Sequence, residues 1–173
     1  MHPSEIDGIL KTFKIKIDTR EQPTERSKMR YKQFGCPYER QKLNFGDYTA
    51  AVTMPDDSEL SLANIAVIER KMNADEICGC FTHDRARFSR EFERAQEAGA
   101  KTYLLLENLT WEIAYSGKYR SQMKPQAFTA SMLVWLARYN CQILMCKSET
   151  SGKLIHDILY REAKEYLERM VDE

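Results

Sequence analysis

Along this chain, short runs in which every second residue is apolar alternate with longer stretches in which apolar residues return every three or four positions. The first spacing fits a strand, whose side chains alternate between faces, and the second fits one stripe of a helix. At residues 13–18, Phe13, Ile15 and Ile17 share one face and Lys14 and Lys16 the other, which predicts a half-buried first strand. A helix over 23–34 follows, opened by Pro23 and ended by Gly35 and Pro37. Residues 38–45 read as a second strand, and 48–62 as a hairpin turning at Pro55, Asp56, Asp57 and Ser58. The run Asn64-Ile65-Ala66-Val67-Ile68 is apolar and β-branched, so 65–71 is expected to be a buried strand. Asn73 can cap a short helix reaching residue 80, with Asp75 and Glu76 in the first turn, where acids are favoured. A helix over 84–97 ends near Gly99, and 101–107 is a further strand. A long helix over 124–139 carries Phe128, Met132 and Trp135 at helical spacing, a stripe that marks core. A strand over 142–146 and a helix over 152–170 complete the pattern.

That succession is α/β. With 173 residues the chain is long enough for one well-buried core and short for two. We expect an N-terminal extension over 1–12 and one domain over 13–173. An apolar share of 43% beside 30% charged residues suits a soluble globular protein. No apolar run approaches bilayer length, and the first residues lack the features of a signal peptide. The five cysteines, an odd number scattered along the chain, suit reduced thiols in a cytoplasm. Cys78, Cys80 and His83 fall short of the four ligands a structural zinc needs.

Zero net charge gives no overall nucleic-acid signature, but the distribution is uneven. Residues 11–42 hold ten Lys or Arg against four Asp or Glu, with Lys28 and Arg30 near the centre. That excess can follow a phosphate backbone, or it can be a solvated helix face.

The chemistry concentrates in two places. Gly46-Asp47-Tyr48 precedes one apolar run, and Glu69-Arg70-Lys71 continues another, with Asp75 shortly after. Charged residues that directly extend a buried strand are costly unless they reach a cleft, a metal or one another. Two carboxylates can hold a hard divalent cation through oxygen. Lys71, two residues beyond Glu69, points to the same strand face. A cation site, a water and a fixed positive charge are what metal-assisted phosphodiester hydrolysis requires.

The order Gly46-Asp47, a spacer, Glu69-Arg70-Lys71, three residues and Asp75 resembles the nuclease domain of the XPF-type structure-specific endonucleases. The resemblance extends to Ile17-Asp18-Thr19-Arg20-Glu21, to Arg87-Phe88 and to the run from Tyr103 to Glu107, and so covers roughly residues 13–146. It implies a restriction-endonuclease-like fold, a central mixed β-sheet flanked by helices. It also implies metal-dependent cutting of DNA, branched or flap-shaped. In this reading Asp47 and Glu69, helped by the Arg70 backbone carbonyl, bind one Mg²⁺ or Mn²⁺. Lys71 orients the attacking water or offsets charge on the transition state, and Asp18 takes part. Asp18 and Glu21 support a second metal or hydrogen-bond the residues that hold the first, Arg20 steadies the acidic cluster or meets a phosphate, and Arg70 bridges to Asp75. Arg85 and Arg87 meet the DNA, as Lys28 and Arg30 also can. Family members commonly pair, so a homodimer is expected. No helix-hairpin-helix region is expected after the nuclease domain, a departure from longer family members. The competing reading is a module with a nuclease fold that holds DNA or a partner without cutting.

Overall fold

The computed structural model describes residues 3–172. In chain order the elements are α1 (Pro3–Leu10), β1 (Lys14–Ile17), α2 (Glu25–Gln33), β2 (Tyr38–Arg40), β3 (Tyr48–Thr53), β4 (Glu59–Ser61) and β5 (Ala66–Lys71). Then come α3 (Ala74–Phe81), α4 (Arg85–Glu97), β6 (Lys101–Glu107), α5 (Trp111–Ser116), α6 (Pro125–Tyr139), β7 (Gln142–Cys146) and α7 (Ser148–Asp172). The strands form one mixed sheet in the order β2-β1-β3-β5-β6-β7, with β4 paired outside that path to β3. β1, β3 and β5 run antiparallel to their neighbours among the three. β5, β6 and β7 are parallel, and α4 and α6 lie on the crossovers between them.

Both faces of the sheet are covered, which is why β3, β5 and β6 are almost wholly buried. On one side Ile15, Ile17, Tyr48 and Ile68 pack with α1, α2 and α7, through Ile9, Phe34, Ile155 and Leu159. On the other, Leu104 and Leu106 pack with α3, α4 and α6 through Ile77, Phe88 and Trp135. Capping fixes the helix starts. Thr24 accepts from the Ser27 N–H at 3.2 Å, and Asn73 accepts from the Glu76 N–H at 2.9 Å.

The sheet is the mixed, helix-flanked one expected, with some differences in detail. Residues 3–10, read as an extension, form α1 and bury Ile6, Ile9 and Leu10. The strand expected over 38–45 stops at Arg40, and 41–47 becomes a loop to the site. The helix α5, too short to show a full apolar stripe, begins at a Thr110 cap. The last helix starts at Ser148, four residues before Gly152.

Candidate active site

Asp47 owes its place to Gly46. That glycine has φ +74°, and a Cβ on it would stand 3.0 Å from the Val67 Cβ, so no other residue fits without strain. The Asp47 N–H then donates to the Ile68 carbonyl at 2.8 Å, and its own carbonyl accepts from the Asp18 N–H at 2.8 Å. The Asp47 peptide is thereby fastened to both neighbouring segments. Its carboxylate accepts the Arg70 N–H at 2.8 Å, which brings the Arg70 backbone alongside it.

Asp18 ends β1 and is 1% exposed. One carboxylate oxygen accepts from the Leu43 N–H at 3.1 Å, and the other is hydrogen-bonded and ion-paired to Arg20. Glu69, on β5, is ion-paired to Lys71 at 2.5 Å. The pair shares a strand face, as the spacing predicts, and the Lys71 ammonium lies 5.4 Å from the centre of the Phe88 ring.

These groups surround a pocket of about 270 Å³. Asp18, Glu21, Asp47 and Glu69 line it from the sheet side, and Asp84, Arg87 and Glu91 from α4 and its start. Carboxylates outnumber guanidinium groups, so the pocket attracts cations. Burial, and next the nearby Asp47 carboxylate, push Glu69 up to about 7, against the pull of Lys71. Burial opposes the charge on Lys71, but Glu69 and Asp47 outweigh it and raise its pKa. Lys71 is therefore held as a cation beside the carboxylates in the metal-free protein. Burial also pushes the Cys80 thiol, on the pocket wall, up to about 11, which excludes a thiolate nucleophile.

The donors suit a hard cation. They are carboxylate oxygens, and one oxygen of Glu91 is buried without a hydrogen-bond partner among the described residues. Among the described residues no three His, Cys, Asp or Glu side chains converge tightly enough to grip a metal by themselves. A cation here would rest on Asp47 and Glu69 and keep several waters, as Mg²⁺ does.

The other residues singled out in the sequence divide between the pocket wall and positions away from it. Arg70 does not bridge Asp75. Its guanidinium meets Glu107 at 3.3 Å and Glu21 at 3.7 Å. Asp75 instead accepts the backbone N–H groups of Arg120 and Ser121 at 2.8 and 2.7 Å, closing a loop onto α3. Glu21 is hydrogen-bonded to Tyr48 and ion-paired to Arg30 at 2.8 Å, so it supports the site from below. Arg30 is 5% exposed, held by Glu21 and by Glu107 at 3.3 Å, and its charge is spent inside the protein rather than offered to phosphate. Lys28 is exposed, pairs with Glu25 at 2.9 Å, and stands outside the pocket wall. Arg85 lies over the Trp135 ring at 4.9 Å and donates to the Phe81 carbonyl at 3.2 Å. Arg87 alone of these four basic residues lines the pocket, and its side chain is 72% exposed. Glu91, also on the pocket wall, is not among the residues to which the sequence points. Its spacing from Asp84 and Arg87, seven and four residues, is the signal that puts all three on one helix face.

Residues 17–158 match the ERCC4 domain family. No curated protein matches the chain. Among solved structures, the chain is similar to XPF from Aeropyrum pernix, with a TM-score of 0.60, 16% identity, and coverage of 84% of this chain and 59% of that one. It is also similar to XPF from Aeropyrum pernix in complex with DNA, with a TM-score of 0.61, 15% identity, and coverage of 88% and 65%. The chain thus spans under two thirds of the solved chains it matches, and likeness at this identity speaks for the fold.

Proposed function

Because this chain belongs to the ERCC4 domain family, we propose that it is a divalent-metal-dependent DNA endonuclease that hydrolyses phosphodiester bonds in branched or flap DNA. The observation that carries the reading is the pocket in which Asp18, Asp47 and Glu69 meet beside the Lys71 ammonium. Mg²⁺ or Mn²⁺, when bound there, supplies Lewis acidity toward the scissile phosphate and lowers the pKa of water. Asp47 and Glu69 would hold it, with the Arg70 carbonyl as a third oxygen donor. Lys71, fixed as a cation, orients the attacking water and offsets negative charge gathering on the phosphoryl oxygens. Arg20 holds the Asp18 carboxylate in place. Arg87, exposed at the pocket rim, receives a phosphate of the substrate through its fork of donors.

We place the enzyme in a cytoplasm, where its five free thiols stay reduced. Among the described residues no helix is long and apolar enough to cross a membrane. A homodimer is part of the proposal, supported by the exposed Leu133 and Val134 on α6. A concentration series in light scattering that shows only monomer removes that part.

The test is incubation of the protein with end-labelled flap, fork, junction and linear DNA in Mg²⁺, Mn²⁺ or EDTA. Cutting is expected with metal only, and Asp47→Asn and Glu69→Gln abolish it. Tight binding with no cutting under either metal favours the non-catalytic module instead.

A further inference from the structure

We propose that a hollow of about 570 Å³ beside the catalytic pocket is a second phosphate subsite, which seats a backbone phosphate of the DNA away from the one being cut. The proposal rests on the nuclease reading of the pocket and extends it to the path of the substrate. Arg20 lines both cavities, so they are neighbours. Charge reverses between them. The catalytic pocket is mainly acidic, whereas the hollow is walled by Arg20, Lys42 and Arg94, with Asn44 and Asn64 as neutral donors and Glu97 as its one acid. Arg20 and Arg94 share the Glu91 carboxylate, so among the described residues Lys42 is the cation of this hollow left unpaired to attract a phosphate.

The hollow is held in shape. Glu91 receives Arg20 at 3.2 Å and Arg94 at 2.7 Å on the same oxygen. Arg94 also donates to the Asn44 carbonyl at 3.0 Å. Glu91 is thus a positioning residue for two guanidinium groups, each of which keeps further N–H donors for a ligand. Lys42 is exposed and has no carboxylate partner among the described residues. Small tetrahedral anions suit such a set, because guanidinium donates in a fork and ammonium acts as a point charge. Lys42 lies five residues before Asp47 on the same loop, so the proposal has a strand with one phosphate at Asp47 present another to Lys42 and Arg94.

The experiment measures binding of fluorescein-labelled flap DNA by anisotropy in EDTA across a salt series. The proteins are wild type, Lys42→Ala, Lys42→Glu and the control Lys11→Glu, an exposed lysine that follows α1 on the opposite helical layer. Lys42→Glu is expected to weaken binding about tenfold, and Lys42→Ala to lower the salt slope by about 0.9, one phosphate contact. Lys11→Glu changes neither. Single neutral methylphosphonate linkages are then placed along the flap junction. One position should weaken wild-type binding and have no further effect on Lys42→Ala. Equal loss from Lys11→Glu and Lys42→Glu, or no position whose effect disappears in Lys42→Ala, overturns the subsite. Failure of the nuclease reading shows separately, as DNA left intact with Mg²⁺ and Mn²⁺ while binding still responds to Lys42.

Discussion

Replacing Glu69 by Gln should stabilise the metal-free protein at neutral and alkaline pH while making no such difference in acid. In the folded protein Glu69 keeps its proton up to about 7, against an ordinary value of 4.5. Between those values the folded state binds more protons than the unfolded chain, so raising the pH removes stability. The contribution is complete below 4.5, where both states are protonated, and is lost once pH passes about 7. The carboxyl is 8% exposed, so solvent screening is weak, and the shift corresponds to about 3 kcal/mol. Gln keeps the shape and cannot ionise, so it escapes that loss. The assay is urea unfolding of both proteins in EDTA at about pH 4.5, 6 and 8, with each difference taken relative to the acid value. The variant should gain about 3 kcal/mol on wild type across that range. Excess Mg²⁺ at the alkaline end should then recover stability in wild type and not in the variant. Parallel stability curves for the two proteins would refute the argument that burial and Asp47 burden this carboxylate.

Arg30→Ala leaves Glu21 and Glu107 buried without that partner, and should cost about 3–5 kcal/mol in urea unfolding. A folded, stable variant with weakened DNA binding would instead return Arg30 to the phosphate-contacting role its sequence context suggests. Gly46→Ala should destabilise by about 1–3 kcal/mol, through φ +74° and the approach to Val67, and should displace Asp47, so that cleavage falls even in the fraction that remains folded. Asp75→Ala releases the Arg120 and Ser121 N–H groups and should raise hydrogen exchange there while cleavage persists; total loss of cleavage in a folded variant would make Asp75 part of the chemistry.

The strands were legible because their apolar runs are long and β-branched, and β5 and β6 matched the expected bounds to within a residue. The alternation of Phe13, Ile15 and Ile17 likewise foretold which face of β1 meets α1 and α7. α1 was missed because eight residues give too few turns for a stripe to declare itself. The placement of Asp18, Asp47 and Glu69 on the pocket wall, with Lys71 beside Glu69, was legible, since each sits at or near the end of a predicted strand. The arginines were not. A guanidinium on α2 looks the same in sequence whether it reaches solvent or two buried carboxylates on distant segments. The partner of Arg30 on β6 lies 77 residues away. Arg85 and Arg87 differ only by where two steps of a helix point, one toward Trp135 and one toward the pocket. The cationic hollow was equally hidden, because Arg20, Lys42 and Arg94 come from three separate segments.

The loop from residue 41 to 47 has almost no slack. Gln41 donates to Ile17, Leu43 to Asp18, and Asp47 to Ile68, while Gly46 is wedged against Val67. The conformational entropy of gathering the carboxylates is therefore surrendered once, when the chain folds. A cation arriving later need only shed part of its hydration and displace a proton, without waiting for a disordered segment to close around it. Metal affinity in such a protein should track acidity and ionic radius far more than temperature or chain flexibility.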